Sequence, residues 1–418
     1  MRKIKEYIFF WFSLTFFAIS LLILAFPYLK SGALTVATLS GGAQTQSKKE
    51  DSTKALKITD SHIKTPEAVK AVYMSQCGAA SSRLRAHIKK LIQDTELNAV
   101  VIDIKDYTGT VSFPSDIEGA NEGKGCLVQD MKELVEDFHK VGIYVIGRIT
   151  VFQDPLYAKR HPEQAVQSKS KNAPWSDYKG LHFIDVGARD FWKYIVKISH
   201  EAHRKYLFDE LNFDYIRYPS DGPMRDAKYT LSDYGKRDEE LEKFFRYLSY
   251  NVKVPDRAGH IPTISADLFG MVTTNYDDLT IGQVLERALP YFDYIAPMVY
   301  PSHYPKSFLG LGNPNKHVYK VVNYCMEKAV ERTVATSTTI ASFAYNIAQG
   351  TSTAPYIKPA YDKQKLRPWL QDFDYGGNYG AKEVRAQIQA VYDAGLSSWM
   401  LWDPANIYTR EALLPASR

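Results

Sequence analysis

Short apolar runs alternate with amphipathic stretches along most of the chain after residue 66. Eight runs are rich in β-branched and aromatic side chains, which favour strands, and lie at 71–75, 99–105, 144–152, 211–218, 263–270, 294–300, 368–373 and 398–403. Stretches with apolar residues every three or four positions lie between them, at 82–93, 128–141, 190–204, 239–252, 281–289, 318–332 and 381–394. This alternation predicts βα units and a parallel sheet.

Eight strands with interleaved helices predict an α/β fold, a (β/α)8 TIM barrel over residues 67–418. An open doubly wound sheet is the alternative, but no glycine-rich phosphate loop follows the first run. Polar excursions at 107–125 and 335–365 interrupt the pattern. Long loops at the carboxyl ends of strands often carry substrate contacts.

The amino-terminal part of the chain differs from the rest. Arg2, Lys3 and Lys5 precede a stretch from 7 to 29 without a charged residue, whose roughly 20 apolar-rich positions suffice to span a bilayer. We predict an uncleaved signal anchor at 1–30 with its amino end in the cytoplasm; a cleaved signal peptide is the alternative. Residues 31–66, rich in Ser, Thr, Gly and Lys, predict a flexible linker. The barrel would then be extracytoplasmic, on a single-pass membrane protein or secreted.

Composition and spacing exclude several classes of function. The net charge of +5 is spread without a dense basic run, which argues against nucleic-acid binding. Cys77, Cys126 and Cys325 lie far apart without a CxxC pair, so we expect neither zinc nor a disulfide framework but small buried side chains. The ten histidines form no HxH or HExxH spacing, so no catalytic metal or cofactor is predicted.

The fourth run contains an unusual polar row. Glu210, Asn212 and Asp214 alternate with apolar residues, so a strand places them on one face, and Pro219 ends the pattern. Polar groups inside a buried strand indicate a site. Asp214 is predicted as the nucleophile or base, kept ionised by Arg217, and Asp267, in a drier setting on the next strand, as the general acid. The alternative is that one or both aspartates hold the barrel together through ion pairs with Arg148 or Lys105.

Other strand ends supply further polar and aromatic groups. We predict that these residues bind sugar or, alternatively, pair with one another inside the barrel: Asp103, Lys105, Arg148, Arg217, Tyr300, Gln371, Asp372 and Trp402.

Several segments resemble a family of putative glycosyl hydrolases, a domain of unknown function with a predicted barrel fold. The matching segments are 97–106, 147–149, 208–219, 265–270, 297–304, 367–373 and 402–406. This resemblance implies a barrel and carbohydrate chemistry, but it does not identify a substrate.

A more distant resemblance is to chitinase-like hydrolases, whose fourth strand carries a DxxDxDxE pattern and whose sixth carries MxYD. Asp209, Asn212 and Asp214 follow the first pattern, but Ile216 stands where the catalytic glutamate would be, and Pro301 replaces the aspartate of the second. An acid would have to come from another strand. We therefore predict a glycoside hydrolase acting on an extracytoplasmic polysaccharide; a non-catalytic carbohydrate-binding barrel and an envelope scaffold protein are the alternatives.

Overall fold

The computed structural model describes residues 62–340 and 354–416. The predicted signal anchor and nearly all of the predicted linker lie outside these residues. In the part of the chain that is described, no helix is long and apolar enough to cross a membrane.

Eight parallel strands close into a barrel, and each overlaps one of the eight predicted runs. They are β1 (Lys70–Met74), β2 (Ala99–Lys105), β3 (Tyr144–Thr150), β4 (Glu210–Asp214), β5 (Thr263–Phe269), β6 (Tyr294–Met298), β7 (Trp369–Gln371) and β8 (Trp399–Trp402). Each strand pairs with its neighbours in chain order, and β8 closes the barrel by pairing with β1. The predicted (β/α)8 barrel is confirmed.

The helices surround this barrel. They are α1 (Gln76–Ala80), α2 (Ser82–Gln93), α3 (Met131–His139), α4 (Pro155–Arg160), α5 (Arg189–Tyr206), α6 (Arg237–Val252), α7 (Leu285–Ala288), α8 (Val318–Val334) and α9 (Ala381–Asp393). The predicted helix 281–289 is reduced to α7, because the backbone is left-handed at Leu279, Thr280 and Gly282 and a right-handed helix cannot run through them. Gly395, with φ +79°, lies just after α9, where a glycine with a left-handed backbone commonly ends a helix.

Strand alternation separates two apolar cores. Val145 and Ile149 of β3 are fully buried in the core between the barrel and its helices, whereas Tyr144 and Ile146 belong to the core inside the barrel. Full burial of such side chains contributes about 1.5–3 kcal/mol each. This packing holds the strand ends in fixed positions around the barrel mouth.

A disulfide joins Cys77 of α1 to Cys126 at the end of the excursion that follows β2. The expectation of unpaired, buried cysteines is therefore wrong for this pair. The two residues are 49 positions apart, a spacing that carries no disulfide signature, and only the fold brings them together. Closing a loop of this length stabilises the fold by about 4 kcal/mol in the chain-entropy description. Cys325 is free and buried, as expected.

Two short antiparallel strand pairs decorate the barrel. Gln167–Ser168 pairs with Ala227–Lys228, and Ser337–Ile340 pairs with Ala354–Ile357. The second pair lies within the polar excursion predicted at 335–365, whose residues 341–353 are outside the described part of the chain.

Candidate active site

The polar side chains of β4 that face the inside of the barrel lie at three different depths. Glu210, at the amino end, accepts hydrogen bonds from Arg367 at 2.9 Å and from Ser265 at 2.6 Å, so it belongs to a buried structural layer. Asn212 in the middle donates to Asp267 at 2.8 Å. Asp214 stands at the carboxyl end, where barrel enzymes place their catalytic groups.

Arg148 of β3 is the centre of the cluster at this end. Its Nη1 donates to Oδ1 of Asp103 at 2.6 Å, and its Nε donates to Oδ2 of Asp214 at 3.1 Å, with a second bond from Nη2. The same Nε lies 3.9 Å from Oδ2 of Asp267. Three buried carboxylic groups therefore surround one guanidinium.

The two predicted catalytic carboxyl groups are close together. Their Oδ2 atoms lie 3.1 Å and 3.9 Å from one Arg148 nitrogen. These two distances limit the separation of the Oδ2 atoms of Asp214 and Asp267 to at most about 7 Å. Carboxyl pairs in glycoside hydrolases lie about 5–5.5 Å apart in retaining and about 6.5–9.5 Å apart in inverting enzymes.

Asp267 is built to hold a proton. Burial raises the pKa of its carboxyl well above the usual range, and the nearby Asp214 adds to this, while Arg148 opposes it. Oδ1 accepts hydrogen bonds from Asn212 and from the indole of Trp369, both at 2.8 Å. A carboxyl group kept neutral by a dry environment is suited to act as a general acid.

Asp214 is held in place from two sides, but not by Arg217. The backbone N–H of Tyr215 donates to its Oδ1 at 2.5 Å, and Arg148 binds its Oδ2. The guanidinium of Arg217 instead donates to the carbonyl of Tyr218 at 3.0 Å. The expected pairing of Arg217 with Asp214 is wrong, because Tyr215 has a left-handed backbone, φ +47°, which ends the strand alternation after Asp214.

An aromatic wall covers one side of the cluster. The hydroxyl of Tyr73 donates to Oδ2 of Asp103 at 2.5 Å, and Trp402 stacks on the Tyr73 ring at 3.9 Å between centroids. The Arg148 guanidinium lies 4.9 Å from the Trp402 ring, and Tyr300 packs in the same inner core. Tyr73 was not predicted from the sequence, since it lies in an otherwise apolar run and only barrel closure between β1 and β8 brings it to Trp402.

Lys105, predicted to bind sugar or to pair with another polar group of that set, has partners outside the set. Its Nζ lies 2.9 Å from the carboxylate of Asp154, with both side chains fully buried, and it donates to the Thr150 carbonyl at 2.6 Å. The pairing register of β2 shifts between Asp103 and Lys105, so the alternation of faces is broken there. The structure therefore gives Lys105 a buried ion pair with the start of α4.

Gln371 and Asp372, at the end of β7, hold loops in place. Gln371 accepts a hydrogen bond from the Ser302 hydroxyl at 2.8 Å and donates to the Phe373 carbonyl at 3.0 Å. Asp372 accepts from the hydroxyl and the backbone N–H of Thr409 at 2.7 and 3.0 Å. Both side chains are saturated by protein groups.

Asp372 gives the fold a pH dependence. Burial raises the pKa of its carboxyl to about 7, so the folded chain holds a proton there that the unfolded chain loses above about pH 4. Stability should therefore fall between about pH 4 and 7, by at most about 4 kcal/mol. We expect Asp372→Asn to reduce this fall when chemical unfolding is measured at pH 5 and pH 8. Equal pH dependence in both proteins would contradict the assignment.

Of the predicted residues, the structure joins Asp103, Arg148, Asp214 and Asp267 in one network. Trp402 and Tyr300 border that network.

Three solved structures are among those that this chain resembles. The glycoside hydrolase domain of PgaB (BpsB) from Bordetella bronchiseptica aligns with a TM-score of 0.55 and 14% identity, over 84% of this chain and 100% of that chain. A hypothetical protein from Ruminiclostridium thermocellum ATCC 27405 shares 30% identity over 47% of this chain and 96% of that chain, with a TM-score of 0.40. A chitinase (RmChi1) from Rhizomucor miehei shares 13% identity over 82% of this chain and 98% of that chain, with a TM-score of 0.43.

The likeness to the PgaB domain supports the barrel fold. No protein of curated function matches the chain. A family model described as "Putative glycosyl hydrolase domain" matches residues 71–408, which is nearly the whole barrel. The chain therefore belongs to this putative glycosyl hydrolase family.

Proposed function

We propose that the barrel is a glycoside hydrolase that cleaves an extracytoplasmic polysaccharide, with Asp267 as the general acid and Asp214 as the nucleophile or base. The observation that carries this proposal is the pairing, around Arg148, of a buried carboxyl group with a raised pKa and a carboxylate bound to a cation. Glycoside hydrolysis requires one carboxyl group that donates a proton and a second that attacks or takes a proton.

The proposed reaction divides proton transfer and attack between the two carboxyl groups. Asp267 gives its proton to the glycosidic oxygen as the bond from that oxygen to the anomeric carbon breaks. Asp214 either attacks the anomeric carbon, forming an ester that water hydrolyses as the Asp267 carboxylate takes a proton from that water, or itself takes a proton from the water that attacks the anomeric carbon. Arg148 holds Asp214 and Asp103 in register by charge-assisted hydrogen bonds.

Substrate positioning follows from the rings beside these carboxyl groups. The stacked pair of Tyr73 and Trp402 borders the cluster, and Trp402 is only partly buried, so part of its ring is open to a sugar. Aromatic rings offer an apolar face with a polar edge, which suits a pyranose ring. Asp103 is fixed by Tyr73 and Arg148 and would accept hydrogen bonds from sugar hydroxyls.

We place the barrel outside the cytoplasm, tethered by the apolar stretch at 7–29. The positive residues before that stretch support this orientation. The disulfide between Cys77 and Cys126 is independent support, because such bonds persist in oxidising compartments. A substrate in the cell envelope follows from this location.

One observation favours a second function, a barrel that binds polysaccharide without cleaving it. Both Asp103 and Asp214 are engaged by Arg148, an arrangement that also serves to hold barrel strands together. In that case Arg148 would keep Asp214 from reacting.

The two functions differ in a direct assay. The purified full chain is incubated with amino-sugar, neutral and acidic polysaccharides, and released reducing ends and bound polymer are measured in parallel. We expect new reducing ends from at least one polymer class. Binding of a polymer without release of reducing ends would favour the binding barrel. If the chain neither binds nor cleaves any of the polymers, both functions are contradicted.

A further inference from the structure

A cluster of imidazole and carboxyl groups lies at the amino-terminal end of the barrel, opposite the candidate active site. Its members come from the segment before β1, from α3 and α5, and from the segments before β4 and β5. They are His62, His139, His203, Asp209, Asp256 and His260. The proposed hydrolysis uses none of them.

Three of these residues form a set that matches a metal site. One ring nitrogen each of His62 and His203 and one carboxylate oxygen of Asp256 all lie within 4.8 Å of one another. Two imidazoles and a carboxylate are ligands that zinc commonly takes.

His203 gives the strongest support for a metal site. The residue is 2% exposed, and its Nδ1 donates a hydrogen bond to the Phe208 carbonyl at 2.9 Å. That bond leaves the lone pair on Nε2, which makes no hydrogen bond of normal geometry within the described residues, although the backbone of His260 lies close to this imidazole. A buried nitrogen without a partner is costly, and metal-bound histidines characteristically donate their other N–H to a carbonyl in this way.

The other two ligands are similarly prepared. Oδ1 of Asp256 accepts hydrogen bonds from the backbone N–H groups of Ala258 and His260 at 2.8 and 2.9 Å, and Oδ2 lies 3.8 Å from Nε2 of His62 and 3.4 Å from Nδ1 of His260. His62 stacks on His203 at 4.2 Å between ring centroids, and within the described residues neither of its ring nitrogens makes a hydrogen bond.

We propose that His62, His203 and Asp256 bind one zinc ion, with water or a further protein group in the fourth position. Zinc bonds of about 2.0–2.2 Å require the ligand atoms to draw together by roughly 1 Å from their present spacing. His62 is able to make this movement because it lies on the segment that leads into the barrel, not on a barrel strand or helix.

The ion would fasten this entering segment to the base of the barrel. The same segment already contacts the barrel through Ile63, whose N–H donates to Asp209 at 2.7 Å, and through Thr65, whose hydroxyl lies 2.9 Å from that of Tyr144. A zinc ion bound by His62, by His203 of α5 and by Asp256 before β5 would hold the entering segment in a fixed position on the base of the barrel. The bound ion is structural, and the reaction at the opposite end does not depend on it.

The test is zinc binding by the full chain after metal is removed with a chelator and the chelator is dialysed away. Bound zinc is counted by elemental analysis, affinity is measured by competition with a chromophoric indicator, and cobalt is used as a spectroscopic substitute. We expect one zinc per chain, an increase in the unfolding temperature, and the visible absorption of tetrahedral cobalt.

The variants are His62→Ala, His203→Gln and Asp256→Asn, with His87→Ala as the control, since His87 is exposed on α2. Each ligand variant should weaken zinc binding by roughly 10- to 100-fold or more, and His87→Ala should leave it unchanged. Asp256→Asn keeps an oxygen for the two backbone N–H groups, so loss of binding in that variant is not loss of folding. Absence of stoichiometric binding by the unaltered chain, or unchanged affinity in all three variants, would overturn the proposal.

Discussion

Replacement of Asp267 by asparagine is expected to slow cleavage of polysaccharide by about 10²–10⁴-fold, the usual contribution of a general acid. The asparagine oxygen still accepts the hydrogen bonds of Asn212 and Trp369, so the side chain stays in place. What is lost is the proton that leaves with the glycosidic oxygen. Initial rates of reducing-end release by the two proteins measure this loss.

Two further readouts separate loss of the acid from damage to the fold. An aryl glycoside with a good leaving group needs little protonation, so its cleavage should fall much less than that of the polysaccharide. The raised pKa of the Asp267 carboxyl destabilises the folded chain as pH rises above about 4, so Asp267→Asn should gain stability over the unaltered chain at higher pH. Equal losses on both substrates would contradict a role as the acid.

Replacement of Arg148 by glutamine is expected to destabilise the fold by about 3–5 kcal/mol, because it leaves buried carboxylates without their cation. Asp103 and Asp214 both lose their charged partner, and Asp267 loses the charge that opposes its raised pKa. The loss of stability should be smaller at pH 5 than at pH 8, since protonation of these carboxyl groups removes the repulsion between them. Chemical unfolding at the two pH values measures this difference.

Arg217→Gln is the matched control for this prediction. Its guanidinium contacts a carbonyl, the Ser220 hydroxyl and the Tyr215 ring. Its removal should therefore change stability by no more than about 1 kcal/mol. An equal effect of the two substitutions would contradict the central place of Arg148.

The barrel was predictable because its strands are buried, and their lengths and composition mark them in the sequence. Helices α2 and α5 were predictable because one apolar face repeats over several turns. The inward polar row of β4 was also visible, since Glu210, Asn212 and Asp214 alternate with apolar residues over the whole strand. These features depend on residues close together in the chain.

The errors arose where local geometry or distant closure decides the outcome. A register shift in β2 separates Lys105 from Asp103, and a left-handed residue at 215 turns Arg217 away from Asp214. The two-residue alternation of a strand predicts neither the register shift nor the left-handed residue. The Cys77–Cys126 bond and the contact of Tyr73 with Asp103 join segments far apart in the sequence, so spacing gave no signal for them.

Histidine spacing gives no signal for the proposed zinc site for the same reason. A search for HxH or HExxH finds ligands on one strand or helix, whereas His62, His203 and Asp256 come from three separate segments. Each residue alone has an ordinary sequence context. The proposed ligands come together only because the barrel gathers the amino-terminal ends of its elements.

The proposed role of Asp214 is tested most directly by comparing the unaltered chain with Asp214→Asn on one polysaccharide, with cleavage rate and binding measured together. The proposal predicts that Asp214→Asn still binds the polymer but releases reducing ends at least about 10³-fold more slowly, since both the attack and the base function are lost. Cleavage at the unaltered rate by Asp214→Asn would contradict the proposal.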